Sequence, residues 1–198
     1  MTDTVWALVG LAFVTSITPG PSNLLLLASG LNFGFRRSLL GALGVTGGFL
    51  TLLAVVRAGL APVLQGGVVS AVFKTACVGY VLWLAWNVAR SGAQGPSEAA
   101  QAPRPLSFWQ AWWLQWINPK AWTVAAIAAA SYPSPGAWGL VSLVGVFGVV
   151  NLPSVAVWAG FGVFFRRLFS DPAKARVVNL FLAVLLVASM VPVLLHLF

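Results

Sequence analysis

The sequence is poor in charged residues, and above all in acidic ones. Only 7% of its 198 residues are charged, and just three are acidic: Asp3, Glu98 and Asp171. A soluble domain carries about a quarter charged residues, so this composition excludes an ordinary soluble protein. The 60% hydrophobic content and the apolar runs long enough to cross a bilayer predict an all-α integral membrane protein.

The rarity of other residue types excludes several kinds of chemistry. All three acids lie in predicted tails or loops, so no carboxylate proton relay is expected inside the membrane. His196 is the only histidine and lies near the C-terminal end, which leaves no base for a buried serine nucleophile. Cys77 is the only cysteine, so paired-thiol chemistry is excluded. We therefore predict that the protein is not an enzyme and holds no metal or cofactor.

The net charge of +8 would suit binding to nucleic acid, but most of the positive residues are concentrated in particular loops. Six spans are predicted, at about residues 5–31, 39–60, 69–88, 108–131, 138–165 and 177–197. The loops after the first, third and fifth spans carry most of the basic residues: Arg36, Arg37, Arg90, Arg104, Arg166, Arg167, Lys174 and Arg176. Basic loops face the cytoplasm, so we predict that both termini lie outside and that no nucleic acid is bound.

The order of the spans predicts an internal symmetry. Three spans (residues 1–90) precede a polar cytoplasmic linker (91–107), and three more spans follow it (108–198). The first half enters the membrane from outside and the second from inside. We therefore expect two inverted three-helix repeats, an arrangement typical of secondary transporters.

Each half carries a proline motif in its first span. Thr18-Pro19-Gly20-Pro21 interrupts span 1, and Asn118-Pro119-Lys120 lies at the corresponding place in span 4. Proline removes a backbone donor and clashes with the preceding turn, so both helices are predicted to be broken. Freed backbone groups in lipid need partners in the protein or in a water-lined cavity. A plain kink that serves packing alone is the alternative.

The predicted site lies at these breaks, because the positive end of a half-helix suits an anionic group such as a carboxylate. Ser22 and Asn23 follow the first break and would add hydrogen-bond donors. Pro153 is expected to break the backbone deep in span 5, and Asn151 beside it would either bond across helices or line the pathway. Tyr80 in span 3 is a further candidate, although a packed phenol is the commoner role.

Lys120 is the most informative charge, and it has two interpretations. If span 4 is one helix from Phe108, Lys120 lies roughly 18 Å deep and must face a substrate carboxylate or freed carbonyls. Alternatively, residues 108–117, with their tryptophans, lie flat at the cytoplasmic surface, Asn118 caps a new helix that begins at Pro119, and Lys120 is interfacial.

Glycines are predicted to allow close helix contacts. Those of span 2 are Gly41, Gly44, Gly47 and Gly48, and those of span 5 are Gly145 and Gly148.

Several of these motifs, in this order, resemble the lysine-exporter and homoserine/threonine-exporter family (LysE/RhtB) over nearly the whole chain. The matching segments are Thr18-Pro19-Gly20-Pro21-Ser22-Asn23, Gly34-Phe35-Arg36-Arg37, Gly79-Tyr80-Val81-Leu82-Trp83-Leu84-Ala85-Trp86, Ser107-Phe108 and Asn118-Pro119-Lys120. Segments 83–86 and 105–109 look closest to the cysteine and O-acetylserine exporters.

The resemblance implies export of amino acids or their derivatives across the bacterial inner membrane. Many members carry an acidic residue where this chain has Gly47-Gly48, which argues against a cationic substrate such as lysine. We therefore expect a small-molecule amino-acid substrate and the lipid bilayer as partners, with a second copy of the chain as a further candidate. A non-transporting membrane scaffold or assembly factor is the alternative.

Overall fold

The computed structural model describes residues 2–59, 67–90, 104–132, 136–168 and 172–188. Within these residues every regular element is an α-helix, as predicted. The helices are α1 (Thr2–Ile17), α2 (Pro21–Phe33), α3 (Phe35–Arg57), α4 (Gly67–Arg90), α5 (Phe108–Ile117), α6 (Pro119–Ser131), α7 (Gly136–Leu168) and α8 (Pro172–Ala188). Most of the predicted linker and the end of the sixth predicted span (189–197) lie outside the described residues.

Long apolar helices dominate the described part of the chain. The helices at Phe35–Arg57 and Gly136–Arg166 are each long and apolar enough to cross a membrane, and Arg176–Ala188 is a shorter apolar helix. Val5–Ile17 and Pro21–Phe33 meet that standard together, with a 57° bend between them. The bend confirms the predicted break in span 1.

Apolar side chains cover the outside of the helices, and many polar ones are buried. Trp138 is 84% exposed, Val149 77% and Trp6 72%. The buried polar side chains are Ser16, Ser22, Asn23, Ser29, Ser38, Thr46, Gln115, Asn118, Asn151, Ser154 and Asn179. An apolar exterior of this extent suits hydrocarbon rather than water, in keeping with the predicted membrane class.

Helix α3 runs alongside α5 and then α6. Gly44 lies against Phe108, and Gly48 lies against Trp112 and Gln115. Residue numbers therefore rise together in α3 and α5, which makes the two helices parallel. Helix α6 continues along the second half of α3. The junction of α5 and α6 consequently lies beside the middle of α3.

Helix α7 runs alongside α1 and then α2, as α3 does beside α5 and α6. The Asn151 side chain bonds Ser16 near the end of α1, and Gly162 lies against Leu27 and Leu31 of α2. The junction of α1 and α2 therefore lies beside the middle of α7. Helices α3 and α7 also pack on each other, and α4 packs on α8.

Glycines make the two side-by-side packings possible. A Cβ at Gly44 or Gly48 would overlap the backbone of α5, and one at Gly30 or Gly162 would overlap the backbone across the α2–α7 contact. The predicted close packing of span 2 is thus confirmed.

Two sequence expectations for span 5 were wrong. A Cβ at Gly145 would meet nothing within 4 Å, so this glycine makes no close helix contact. Helix α7 also continues through Pro153 without a break. A single proline deletes one backbone hydrogen bond, whereas the paired prolines of span 1 delete two in succession.

Candidate functional site

The first break frees several carbonyls at the end of α1. Pro19 and Pro21 have no N–H, so the carbonyls of Thr15 and Ile17 lose the donors that a continuing helix would give them. The chain is extended at Gly20, with φ −174° and ψ 173°. A helix end buried without partners is costly, and these oxygens therefore need donors from elsewhere.

Side chains from three helices donate to the carbonyls of residues 16 to 19 at this break. The Asn23 amide of α2 donates to the carbonyls of Ser16 at 2.9 Å and Thr18 at 2.8 Å. The Trp158 indole of α7 donates to the carbonyl of Ile17 at 3.2 Å. From α6, the Lys120 ammonium donates to Thr18 at 2.5 Å and to Pro19 at 3.4 Å.

The second break is shorter and closes locally. Asn118 alone separates α5 from α6, and its side chain accepts a hydrogen bond from the Lys120 N–H at 3.1 Å. Pro119 is the first residue of α6, where its missing N–H costs nothing. The Trp122 indole donates to the carbonyl of Trp116 at 2.6 Å. This confirms the predicted break in span 4.

The structure combines parts of the two interpretations of Lys120. Asn118 caps a new helix, as the surface alternative predicted. However, α5 packs along the first half of α3 through Gly44 and Gly48, so it is not laid across the end of that span. Lys120 consequently lies level with the middle of α3, and freed carbonyls of the first break contact it.

The two breaks meet in a network of neutral polar side chains. The Ser22 hydroxyl accepts hydrogen bonds from the Gln115 amide at 2.8 Å and the Asn118 amide at 3.1 Å. These bonds join the start of α2 to the α5–α6 junction, which lies more than ninety residues away in sequence.

Asn151 ties the central helices α3 and α7 to the end of α1. Its amide donates to the Ser16 hydroxyl at 2.8 Å, and its oxygen accepts from Thr46 at 2.9 Å. Because both atoms of the Asn151 amide are used, its orientation is fixed.

A small cavity of about 40 Å³ lies at this meeting point. It is lined by Thr15, Ser16, Gly20, Ser22, Asn23, Val45, Phe49, Gln115, Asn118, Lys120, Ala121, Val124, Asn151 and Val155. Lys120 is the charged member of this set. The set is otherwise neutral, with amide and hydroxyl groups facing apolar walls.

The charge pattern favours a ligand that carries a carboxylate. The first turn of α2 faces the cavity, and in the described structure no side chain caps its N-terminus. Free N–H groups at a helix start and a nearby lysine both attract anions. No group of three His, Cys, Asp or Glu residues able to hold a metal occurs among the described residues.

Six of the ten residues predicted for the site line the cavity: Gly20, Ser22, Asn23, Asn118, Lys120 and Asn151. Pro19, Pro21 and Pro119 form the breaks without lining it. Tyr80 lies apart, and its hydroxyl donates to the carbonyl of Gln110 at 2.9 Å. This hydrogen bond fits the commoner role of a packed phenol, and Tyr80 is not among the residues that line the cavity.

Sequence reasoning missed several contributors to the site. Ser16 and Gln115 line the cavity, Thr46 fixes Asn151, and Trp158 caps the first break. The available signal was polarity: Ser16 and Gln115 lie within three residues of a break, in otherwise apolar helices. Trp158 gave no such signal, because tryptophans are abundant in this chain.

Two broken apolar helices that meet at a small polar cavity define a membrane transporter rather than an enzyme. A family model described as LysE type translocator matches residues 13–195. The chain therefore belongs to the LysE family of translocators, which confirms the resemblance found in the sequence motifs.

Individual relatives agree with this assignment. The chain is 34% identical over 185 residues to the cysteine/O-acetylserine efflux protein of Escherichia coli (strain K12), covering 88% of this chain and 89% of the relative. The protein of the same name from Salmonella typhimurium is 33% identical over the same shares. No solved structure gives a significant match. The chain is thus an integral membrane protein of a translocator family.

Proposed function

We propose that the chain exports small, mostly neutral amino acids or their derivatives across the bacterial inner membrane as a secondary transporter. Cysteine and O-acetylserine, which the names of the relatives specify, are the first candidates, followed by homoserine and threonine. The observation that carries the proposal is the polar cavity between the two breaks, with Lys120 as its charge.

In this proposal the substrate carboxylate binds Lys120 and the free N–H groups at the start of α2. Ser22 and Asn118 supply further polar contacts beside them. The apolar walls, formed by Val45, Phe49 and others, would face a short uncharged side chain. A long cationic side chain finds no acid there, because the three acids of the sequence are absent from the cavity lining.

The small size of the cavity supports an alternating-access mechanism. Its volume of about 40 Å³ exceeds the roughly 10–15 Å³ that one water needs on the same measure, but it is small for an amino acid. In the proposed mechanism the two halves therefore move apart to admit a substrate.

The pattern of helix contacts supports the inverted repeat. Exchanging the two halves maps α1–α2 onto α5–α6, α3 onto α7 and α4 onto α8. Helix α3 packs beside α5–α6, and its counterpart α7 packs beside α1–α2, as this exchange requires. The α3–α7 and α4–α8 contacts map onto themselves. We accordingly retain six spans, halves at residues 1–90 and 108–198, a cytoplasmic linker at 91–107 and external termini.

The scaffold alternative is not favoured by any contact described above. Membership of a translocator family and the polar cavity both argue for transport. A second copy of the chain stays a possible partner in the bilayer.

Counterflow in proteoliposomes tests the proposal. Vesicles that contain the purified protein are loaded with unlabelled cysteine under reducing conditions and diluted into radiolabelled cysteine, with and without a pH gradient. A transporter gives transient accumulation of label above the level in protein-free vesicles. The same assay with O-acetylserine, homoserine, threonine and lysine ranks the substrates. No counterflow with any of these amino acids would reject the proposed function and revive the scaffold.

A further inference from the structure

The Lys120 ammonium is bound by carbonyl oxygens of the first break. Its nitrogen lies 2.5 Å from the Thr18 oxygen and 3.4 Å from the Pro19 oxygen. The stem of the side chain crosses Gly20, where a Cβ would lie 3.0 Å from the Lys120 Cδ. Gly20 has an extended backbone that any residue can adopt, so a side chain at this position would be opposed only by the Lys120 stem, which would have to shift by a few tenths of an ångström.

These two carbonyls belong to neither flanking helix. The first bond of α2 uses the Gly20 carbonyl, which accepts from Leu24 at 3.0 Å, and α1 ends before Thr18. Carbonyls at such a place require a donor when water is scarce. Thr18 and Pro19 are both exposed at the protein surface, so an incoming group can reach their oxygens.

We propose that the carbonyl oxygens of Thr18 and Pro19 form the binding subsite for the primary ammonium group of the substrate, and that Lys120 fills this subsite while no substrate is bound. The inference rests on the proposed function. When a zwitterion enters, its carboxylate pairs with the Lys120 ammonium. Its own ammonium then takes the position that Lys120 leaves at the carbonyls.

This exchange keeps every charged group paired. The cavity holds one positive charge before binding, and a zwitterion adds none. It also explains how a site without acids selects an amino acid, since carbonyl dipoles replace a carboxylate as the acceptor of the ammonium. An acid that lacks the ammonium would draw Lys120 away, leaving the Pro19 carbonyl without a donor and the Thr18 carbonyl with Asn23 alone. An amine that lacks the carboxylate would have to displace a tethered lysine.

The first test uses two analogues that each lack one charged group of cysteine. In the counterflow assay, unlabelled 3-mercaptopropionate (no ammonium) and cysteamine (no carboxylate) compete with labelled cysteine. Each is expected to inhibit at least roughly tenfold more weakly than cysteine, the usual loss when a charged hydrogen-bonding group is removed. Equal inhibition by 3-mercaptopropionate would overturn the ammonium subsite and leave the proposed export standing. Absence of cysteine counterflow would instead reject the proposed function.

The second test empties the subsite. In Lys120→Met the carbonyls lack their lysine donor, so cysteamine should bind and raise the thermal unfolding midpoint in detergent by about 3–6 °C at tenfold its dissociation constant. The wild type should show no such shift. Neither should Lys174→Met, in which the lost lysine is exposed on α8.

A Lys120→Met protein with a normal gel-filtration profile and no response to cysteamine would overturn the inference. If that variant does not fold, the competition by 3-mercaptopropionate in the wild type decides the question alone.

Discussion

The two helix breaks lie at corresponding places in the two halves, yet they are closed differently. The α5–α6 break is closed within its own segment, by the Asn118 cap and by Trp122 six residues from its acceptor Trp116. The α1–α2 break has one local donor, Asn23, and depends in addition on Lys120 and Trp158, which lie 102 and 141 residues from the carbonyls they bind.

This difference indicates which break would respond if the halves move as we propose. The local bonds of the α5–α6 break are kept wherever its helices go. The carbonyls of Thr18 and Pro19 lose Lys120 when α6 shifts relative to α1, and only Thr18 keeps a local donor, Asn23. The first break is therefore the one whose hydrogen bonds can be coupled to opening, and substitutions at the two breaks should separate transport from stability.

The largest effect is expected from Lys120→Met, which removes the cation that links the breaks. We predict that export is abolished while the protein still inserts and folds, because the Asn118 cap uses the backbone of residue 120 and survives. Efflux from proteoliposomes and gel filtration measure the two properties. Lys174→Met, at an exposed position on α8, is the matched control and should transport normally. Wild-type rates for Lys120→Met would defeat the assignment of Lys120 to the site.

The next largest effect concerns the glycine contacts that support the two breaks. Gly44→Ala in α3 and Gly162→Ala in α7 each place a Cβ against the backbone of the neighbouring helix. Each should destabilise the protein by about 1–3 kcal/mol, as overpacking does. Thermal unfolding in detergent measures this, and similar losses are expected because both halves use the same close packing. Gly145→Ala is the control, since its Cβ meets nothing; an equal loss there would contradict the packing argument.

Trp158→Phe tests the long-range closure of the first break. The change keeps an aromatic ring and removes the indole donor to the Ile17 carbonyl, which should cost about 1–3 kcal/mol for an unsatisfied group. Transport should fall as well, because α7 then holds the end of α1 by the Asn151 bond to Ser16 without the Trp158 bond to Ile17. Trp138→Phe, on the same helix and 84% exposed, should change neither efflux nor unfolding. The comparison fails if the two variants behave alike.

Trp122→Phe should have the smallest effect on transport. It removes the donor to the Trp116 carbonyl within the locally closed break, at a cost of about 1 kcal/mol in stability. Efflux should nonetheless stay closer to wild type than in Trp158→Phe, since no contact between the halves is lost. Measured side by side, a greater transport defect in Trp122→Phe would reverse the roles given to the two breaks.

Much of the second break could be foreseen from the sequence, and much of the first could not. Asn118 before Pro119 is a local capping signal, and in the structure the Asn118 side chain accepts a hydrogen bond from the Lys120 N–H. Near the first break, Pro19 and Pro21 predicted freed carbonyls, but nothing in the pattern indicated that Trp158 would cap one of them. Pro153 shows that a proline in the sequence does not by itself predict a break, because α7 continues through it.

By itself the sequence determined the membrane class, the positions of both breaks and the family, because composition, proline chemistry and motif order are properties of the chain alone. Only the tertiary structure decided that Lys120 binds the carbonyls of Thr18 and Pro19, and that Asn151 joins Ser16 to Thr46. A freed carbonyl requires some donor, but any donor that packing brings within reach will serve. The identity of that donor is therefore set by how the helices pack.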